Sequence, residues 1–228
     1  MEYDYKKYLE LAKNLISEFK SNLPERVDPA SLSMKSKLPF KAISLREVLF
    51  YRITELGEVA IELFERKKVV SAFIMTRSVM ETAGMLYLLC KKIEKVVDDR
   101  NVGGIDDFLM KALFGAKDGK GPTEALNILT AINHTNNKVE NFRDVYDSLS
   151  EFAHPNWSGV SGAYSKIDKE NIWVDLGAEV KEIPLCIGLS PLVGTLDFFT
   201  VVYNNMADYL PNFVEICDED IERKQTQQ

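Results

Sequence analysis

Val69-Val70-Ser71-Ala72-Phe73-Ile74-Met75-Thr76-Arg77-Ser78-Val79-Met80-Glu81-Thr82-Ala83-Gly84-Met85-Leu86-Tyr87-Leu88-Leu89-Cys90-Lys91-Lys92 is the stretch that decides the fold. It lacks proline, and its apolar residues (Val70, Phe73, Ile74, Val79, Met80, Leu86 and Leu89 among them) fall on almost every face of a helix. A helix with no polar face cannot lie at a surface, so it belongs at the centre of a bundle. Whatever flanks it must supply helices to cover it.

The flanks do so. Upstream, Ser44-Leu45-Arg46-Glu47 reads as a capping box opening a helix to about Arg66. Before it, Glu2 to Ser21 places Tyr5, Tyr8, Ala12, Leu15, Ile16 and Phe19 at three-and-four spacing, an amphipathic helix. The connection, punctuated by Pro24, Pro29 and Pro39, keeps Leu32, Met34, Leu38 and Phe40 and reads as a strap lying on the body. Downstream, a polar, glycine-rich run holds a short helix near Asp106 to Phe114. Gly115 to Gly121 lacks the Walker spacing and reads as a surface loop. Helices are expected near Thr123 to Asn133 and Glu140 to Ala153, the latter stopped by His154-Pro155. Val160 to Ser165 and Asn171 to Leu176 form a candidate hairpin about Asp168-Lys169. Ser190-Pro191 opens a last long helix that ends before Pro211. The expected architecture is all-α, with an extra N-terminal helix and a small β-hairpin near residues 160–176. It divides into a helix and strap (1–43), a bundle (44–222) and a frayed tail (223–228).

Composition narrows the function. With 28 Lys+Arg against 35 Asp+Glu, the net charge of -7 excludes a generally basic surface. Two histidines and three cysteines leave few ways to build a transition-metal site, and neither a metal nor a cofactor is expected. Cys90, Cys186 and Cys217 are far apart, which fits reduced thiols in a cytosolic chain with no disulfide partner. Met1 to Lys7 lacks the apolar core of a signal peptide. Ile183 to Val202 holds one charge, Asp197, but Pro184, Gly188, Pro191 and Gly194 break it, so it reads as core rather than a membrane span.

Two constellations stand out. Arg77 and Glu81 lie one turn apart in the most apolar helix, where an unpaired charge would cost several kcal/mol, on the order of that for a buried ion. They either form an intrahelical pair or line a pocket in which Arg77 holds an anion and Glu81 orients it. Gly84 on that face would admit a second backbone or a ligand. The other constellation is one face of the Glu140 to Ala153 helix, carrying Arg143, Asp147, Ser150 and His154, with Tyr146 beside them and Asn156 just beyond. His154 at the helix C-terminus is either a cap or a proton carrier. His134, in a polar loop-like run, reads as solvated.

Arg77-Ser78-x-x-Glu81, followed by Tyr146-x-x-Leu149-Ser150-Glu151-x-x-His154-Pro155, resembles a group of bacterial all-α proteins related to the HEPN superfamily. The resemblance spans about Ser44 to Leu210. It implies a helical bundle that often dimerises and, in active members, metal-independent RNA cleavage in toxin–antitoxin and antiphage systems. Active members place an arginine one to two turns before the histidine. Here Asp147, Ser148 and Leu149 occupy that window, and Arg143 lies three turns back, roughly 16 Å at the helical rise.

Two functions are therefore expected. One is a ribonuclease or toxin-type effector. His154 would be its general acid/base, and Arg77 or Arg143 would steady the phosphate. The other is a non-catalytic module, using the same residues with Glu81, Tyr146, Asp147, Ser150 and Asn156 to bind a small anion or a protein. Expected partners are a second copy of the chain and either RNA or a cognate protein. Two apolar stripes on the last helix, Leu196/Phe199/Tyr203 and Phe198/Val202, exceed what one neighbour can bury. They point to a twofold dimer with His154 at or beside its interface.

Overall fold

The computed structural model describes residues 4–177 and 182–226. The expected helix start at Glu2 and the end of the expected tail, 227–228, lie outside that range, and nothing is described of the side chains of 182–184. Among the described residues the helices are α1 (Tyr5–Ser21), α2 (Pro29–Leu32), α3 (Leu38–Glu65), α4 (Val69–Asp99), α5 (Ile105–Phe114), α6 (Ile128–Asn136), α7 (Phe142–Ala153), α8 (Ser161–Tyr164) and α9 (Glu182–Thr226). Two minimal sheets complete the chain: β1 (Gly115–Ala116) pairs in parallel with β2 (Thr123–Glu124), and β3 (Ser165–Asp168) pairs antiparallel with β4 (Trp173–Leu176). The architecture is an all-α bundle.

α4 is its axis. Val79, Ala83, Leu86, Leu89 and Ile93 are fully buried, and α3, α6, α7 and α9 pack around them. Gly84 does admit a second backbone: the α6 main chain at Ala131 lies against it, where an added methyl would sit 3.6 Å from the Ala131 carbonyl. The seam between α4 and α9 is closer still. A methyl on Gly188 would lie 2.2 Å from the Phe73 ring, which packs against Phe64 and Phe152.

Several boundaries differ from the sequence reading. α3 begins at Leu38, with Pro39 in its first turn, so Ser44 is interior and Ser44–Glu47 is not a cap; the expected division at 43/44 falls inside this helix. α9 runs through Pro191 and Pro211 instead of starting at one and stopping before the other. Each proline deprives the carbonyl four residues earlier of its donor. Those residues, Ile187 and Ala207, are both exposed, so the loss falls on the solvent side while the opposite face packs on α4, α3 and α1. Both stripes of α9 are consumed this way: Leu196, Phe199 and Val202 are buried, and Phe198 and Tyr203 pack against the same core. The surplus that argued for a dimer is used within one protomer.

The strap is fastened by polar groups more than by its apolar ones. Ser33 Oγ donates to Asp218 Oδ1 at 2.5 Å, Lys35 pairs with Glu222, and Tyr51 Oη donates to the Pro24 carbonyl at 2.8 Å. Met34 is exposed. The hairpin stands where expected, although Ser161–Tyr164 is a helical turn rather than extended chain. Asp168 closes its turn by accepting from the Glu170 and Asn171 amides. α4 and the α9 region are long and apolar enough to cross a membrane, yet 50% and 56% of their most apolar windows are buried in the bundle.

The α4–α9 seam gives a paired prediction. Gly188→Ala drives a methyl into a packed ring and should cost roughly 1–3 kcal/mol. Gly194→Ala in the same helix meets nothing within 4 Å and should stabilise by about 0.5–1 kcal/mol. Chemical denaturation of both variants checks the opposite signs.

Candidate functional site

α7 docks on α4 through its apolar edge, formed by Phe142, Tyr146 and Leu149, with Phe152 meeting Phe73 edge-on at 4.8 Å. This places the Tyr146 phenol over the polar pair of α4. Arg77 NH2 donates to Tyr146 Oη at 2.8 Å, and Tyr146 Oη donates to Glu81 Oε1 at 2.8 Å. Arg77 and Glu81 also pair directly at 3.2 Å. The three side chains close a ring, with the guanidinium 5.0 Å from the centre of the phenol ring. Arg77 is thus bound both to its helical neighbour and to the helix that ends in His154. Burial raises the Tyr146 phenol above its usual range; its bond to Glu81 adds to this and the bond from Arg77 opposes it.

The second constellation is divided. Arg143 Nε donates to Asp147 Oδ2 at 2.6 Å and its NH1 to Asn133 Oδ1 at 2.9 Å, which ties α7 to α6. Its guanidinium is held charged above the usual value, first by that bond to Asp147. Ser150 Oγ donates back to the Tyr146 carbonyl at 2.7 Å. Asn156 shapes the turn after α7: it accepts from the Gly159 amide at 3.1 Å and donates to Glu151 Oε2 at 2.6 Å. Gly159 is required there, since a β-carbon would lie 2.2 Å from the His154 carbonyl.

His154 occupies the C-cap of α7 with an extended backbone and an exposed side chain, which has no hydrogen bond or ion pair among the described residues. Tyr146, where Arg77 makes contact, lies two turns before it, roughly 12 Å along the axis. The structure therefore joins Arg77, Glu81 and Tyr146, separately joins Arg143 and Asp147, and leaves His154 apart from both. Clefts of 480, 270 and 250 Å³ are lined by none of Arg77, Glu81 or His154. His134 is exposed as expected, but in the last turn of α6 rather than in a loop. Among the described residues no group of three or more His, Cys, Asp or Glu side chains converges as a metal site.

A second Arg–Glu–Tyr cluster escaped the sequence reading. Arg46 NH1 pairs with Glu47 Oε1 at 2.8 Å, its NH2 donates to the Tyr203 carbonyl at 3.1 Å, and its guanidinium stacks 3.5 Å from the centre of that tyrosine's ring. Tyr203 Oη donates to Glu47 Oε2 at 2.7 Å. Burial, then this bond, pushes the Tyr203 phenol well up. The available signal was an acidic residue, Glu47, set among Ile43, Leu45, Leu49 and Phe50. In both clusters the arginine Nε is sealed without a partner, so neither guanidinium presents its full donor set to solvent.

Arg77→Met, which keeps packing volume, should cost less than Arg77→Ala by about 1–2 kcal/mol in urea unfolding, because part of what Arg77 supplies is buried methylene surface. The tyrosines give a pH dependence. A raised folded-state value means their contribution is complete below the unfolded phenol value near 10 and is lost as pH climbs through the higher folded value. Ultraviolet titration should find Tyr146 and Tyr203 ionising after the exposed tyrosines, and Tyr203→Phe should remove one late step. Comparison with known protein families, with curated proteins and with solved structures finds no match for this chain.

Proposed function

We propose that the chain is a cytosolic, HEPN-like helical module that acts by binding, as a homodimer, and not by cleaving RNA. The observation that carries the first half is the commitment of both candidate cations. Arg77 is held by Glu81 and Tyr146, and Arg143 by Asp147 and Asn133. A phosphate bound near His154 would find neither free, and in-line cleavage needs a cation where charge develops on the phosphoryl oxygens. The HEPN relationship rests on the same residues: the arginine of one core helix packs on the helix that ends in His154-Pro155.

The dimer reading rests on the segment that follows His154. Trp157, Tyr164, Ile167, Ile172, Trp173 and Leu176 are all more than half exposed, at 75, 55, 68, 91, 57 and 82%. Apolar exposure concentrated in one segment marks an interface. In β3–β4, Ile167, Val174 and Leu176 share one apolar face, while Lys166, Asp168, Asp175 and Trp173 share the other. The outer edge of this hairpin is also self-complementary. Antiparallel pairing of β3 with its twofold mate, centred on Ile167, sets Lys166 of one copy opposite Asp168 of the other. The three cysteines are free and buried, which suits a reducing compartment.

One observation favours the ribonuclease as a second reading: His154 is exposed, at a helix end, and unencumbered. In the dimer its cation would come from the second protomer. Sedimentation at high micromolar concentration should give a dimer that Ile167→Lys dissociates; a monomer would contradict the proposal. Incubation of the purified dimer with single-stranded RNA in chelator should leave the RNA intact. Cleavage that disappears in His154→Ala would replace the binding reading with the nuclease.

A further inference from the structure

A cleft of 250 Å³ opens where α4, the α6–α7 turn, α7 and the first half of α9 meet. Met80, Val145, Phe142 and Phe198 line it with apolar surface, and Gly194 leaves it open, since a methyl there would meet nothing within 4 Å. In this wall sits Thr195, only 3% exposed. The other buried threonines, Thr54, Thr76, Thr82 and Thr135, all lie in helices and donate to the carbonyl four residues back at 2.8–2.9 Å. Thr195 makes no hydrogen bond among the described residues, and neither does Ser190, which lines the same cleft. The Thr195 hydroxyl is not among the sealed side-chain atoms that lack a partner, so it keeps contact with the cleft, and the other threonines show that the usual helical remedy was open to it.

We infer that this cleft is a binding site for a small neutral molecule with an apolar ring-sized body and one hydroxyl or carbonyl group, which Thr195 would engage. The lining contains no cation and includes Glu140, so it disfavours an anion. The size fits: an apolar cavity of roughly 150 Å³ holds benzene, and this cleft has room for a ring with a short polar substituent. The inference does not rest on the dimer or on His154.

The test uses the full-length protein with benzyl alcohol, toluene and benzoate as probes, read by saturation-transfer NMR and by chemical-shift titration. Benzyl alcohol should bind about 3- to 10-fold more tightly than toluene, the span of one neutral hydrogen bond, and benzoate should bind more weakly than either. Thr195→Val, which keeps the shape and removes the hydroxyl, should bring benzyl alcohol down to the toluene level. Gly194→Leu, which fills the cleft, should abolish binding of both. No transfer to benzyl alcohol at millimolar concentration would overturn the assignment, as would an undiminished preference for the alcohol in Thr195→Val. Should Gly194→Leu fail to fold, the Thr195→Val result decides alone.

Discussion

Covering the apolar surface of α4 is the constraint from which the rest of this structure follows. Apolar residues on most faces of that helix draw α3, α6, α7 and α9 around it, and α1 then covers the outer groove between α3 and α9. The crowding leaves no room for a side chain where α9 crosses α4, hence Gly188 against Phe73, while Gly84 lets the α6 main chain come into van der Waals range. It also forces α9 to continue through two prolines: the packing of one face outweighs two lost backbone hydrogen bonds on the other.

Charge within this bundle is handled the same way twice. Arg46–Glu47–Tyr203 joins α3 to α9, and Arg77–Glu81–Tyr146 joins α4 to α7. In each, a carboxylate neutralises the guanidinium, a phenol donates to the carboxylate, and the phenol ring lies near the cation. A buried charge tolerates removal of both partners better than removal of one, so these rings act as registers that fix how helices meet. That is a structural use of residues which, read one at a time, have the makings of an anion site. The surfaces we propose for recognition lie elsewhere, on the exposed apolar hairpin beyond His154 and in the cleft around Thr195.

What could be read from the sequence divides along physical lines. The centrality of α4 was legible because all-round hydrophobicity has one solution in water. The hairpin was legible because its alternation and its Asp168 turn are local. The Arg77–Glu81 ion pair was legible as one of two readings, because one-turn spacing on an apolar helix allows an intrahelical pair as well as an anion pocket. The prolines of α9 misled, since their local cost is visible and the tertiary packing that offsets it is not. Ser44–Glu47 misled for a similar reason: Pro39 in the first turn starts the helix earlier, and Glu47 turns inward to Arg46 and Tyr203. Tyr146 as the third member of the Arg77 ring, and the isolation of Thr195, depend on how helices far apart in sequence meet, which no spacing rule encodes.

The central claim is that Arg77 links α4 to α7 through Tyr146 and is not a free anion-binding group. A double-mutant cycle on Arg77→Met and Tyr146→Phe, followed by urea unfolding, tests it most directly. A shared hydrogen-bonded ring predicts a coupling of about 1–2 kcal/mol between the two positions. Strictly additive effects, with Arg77→Met costing the same whether or not the phenol oxygen is present, would contradict it.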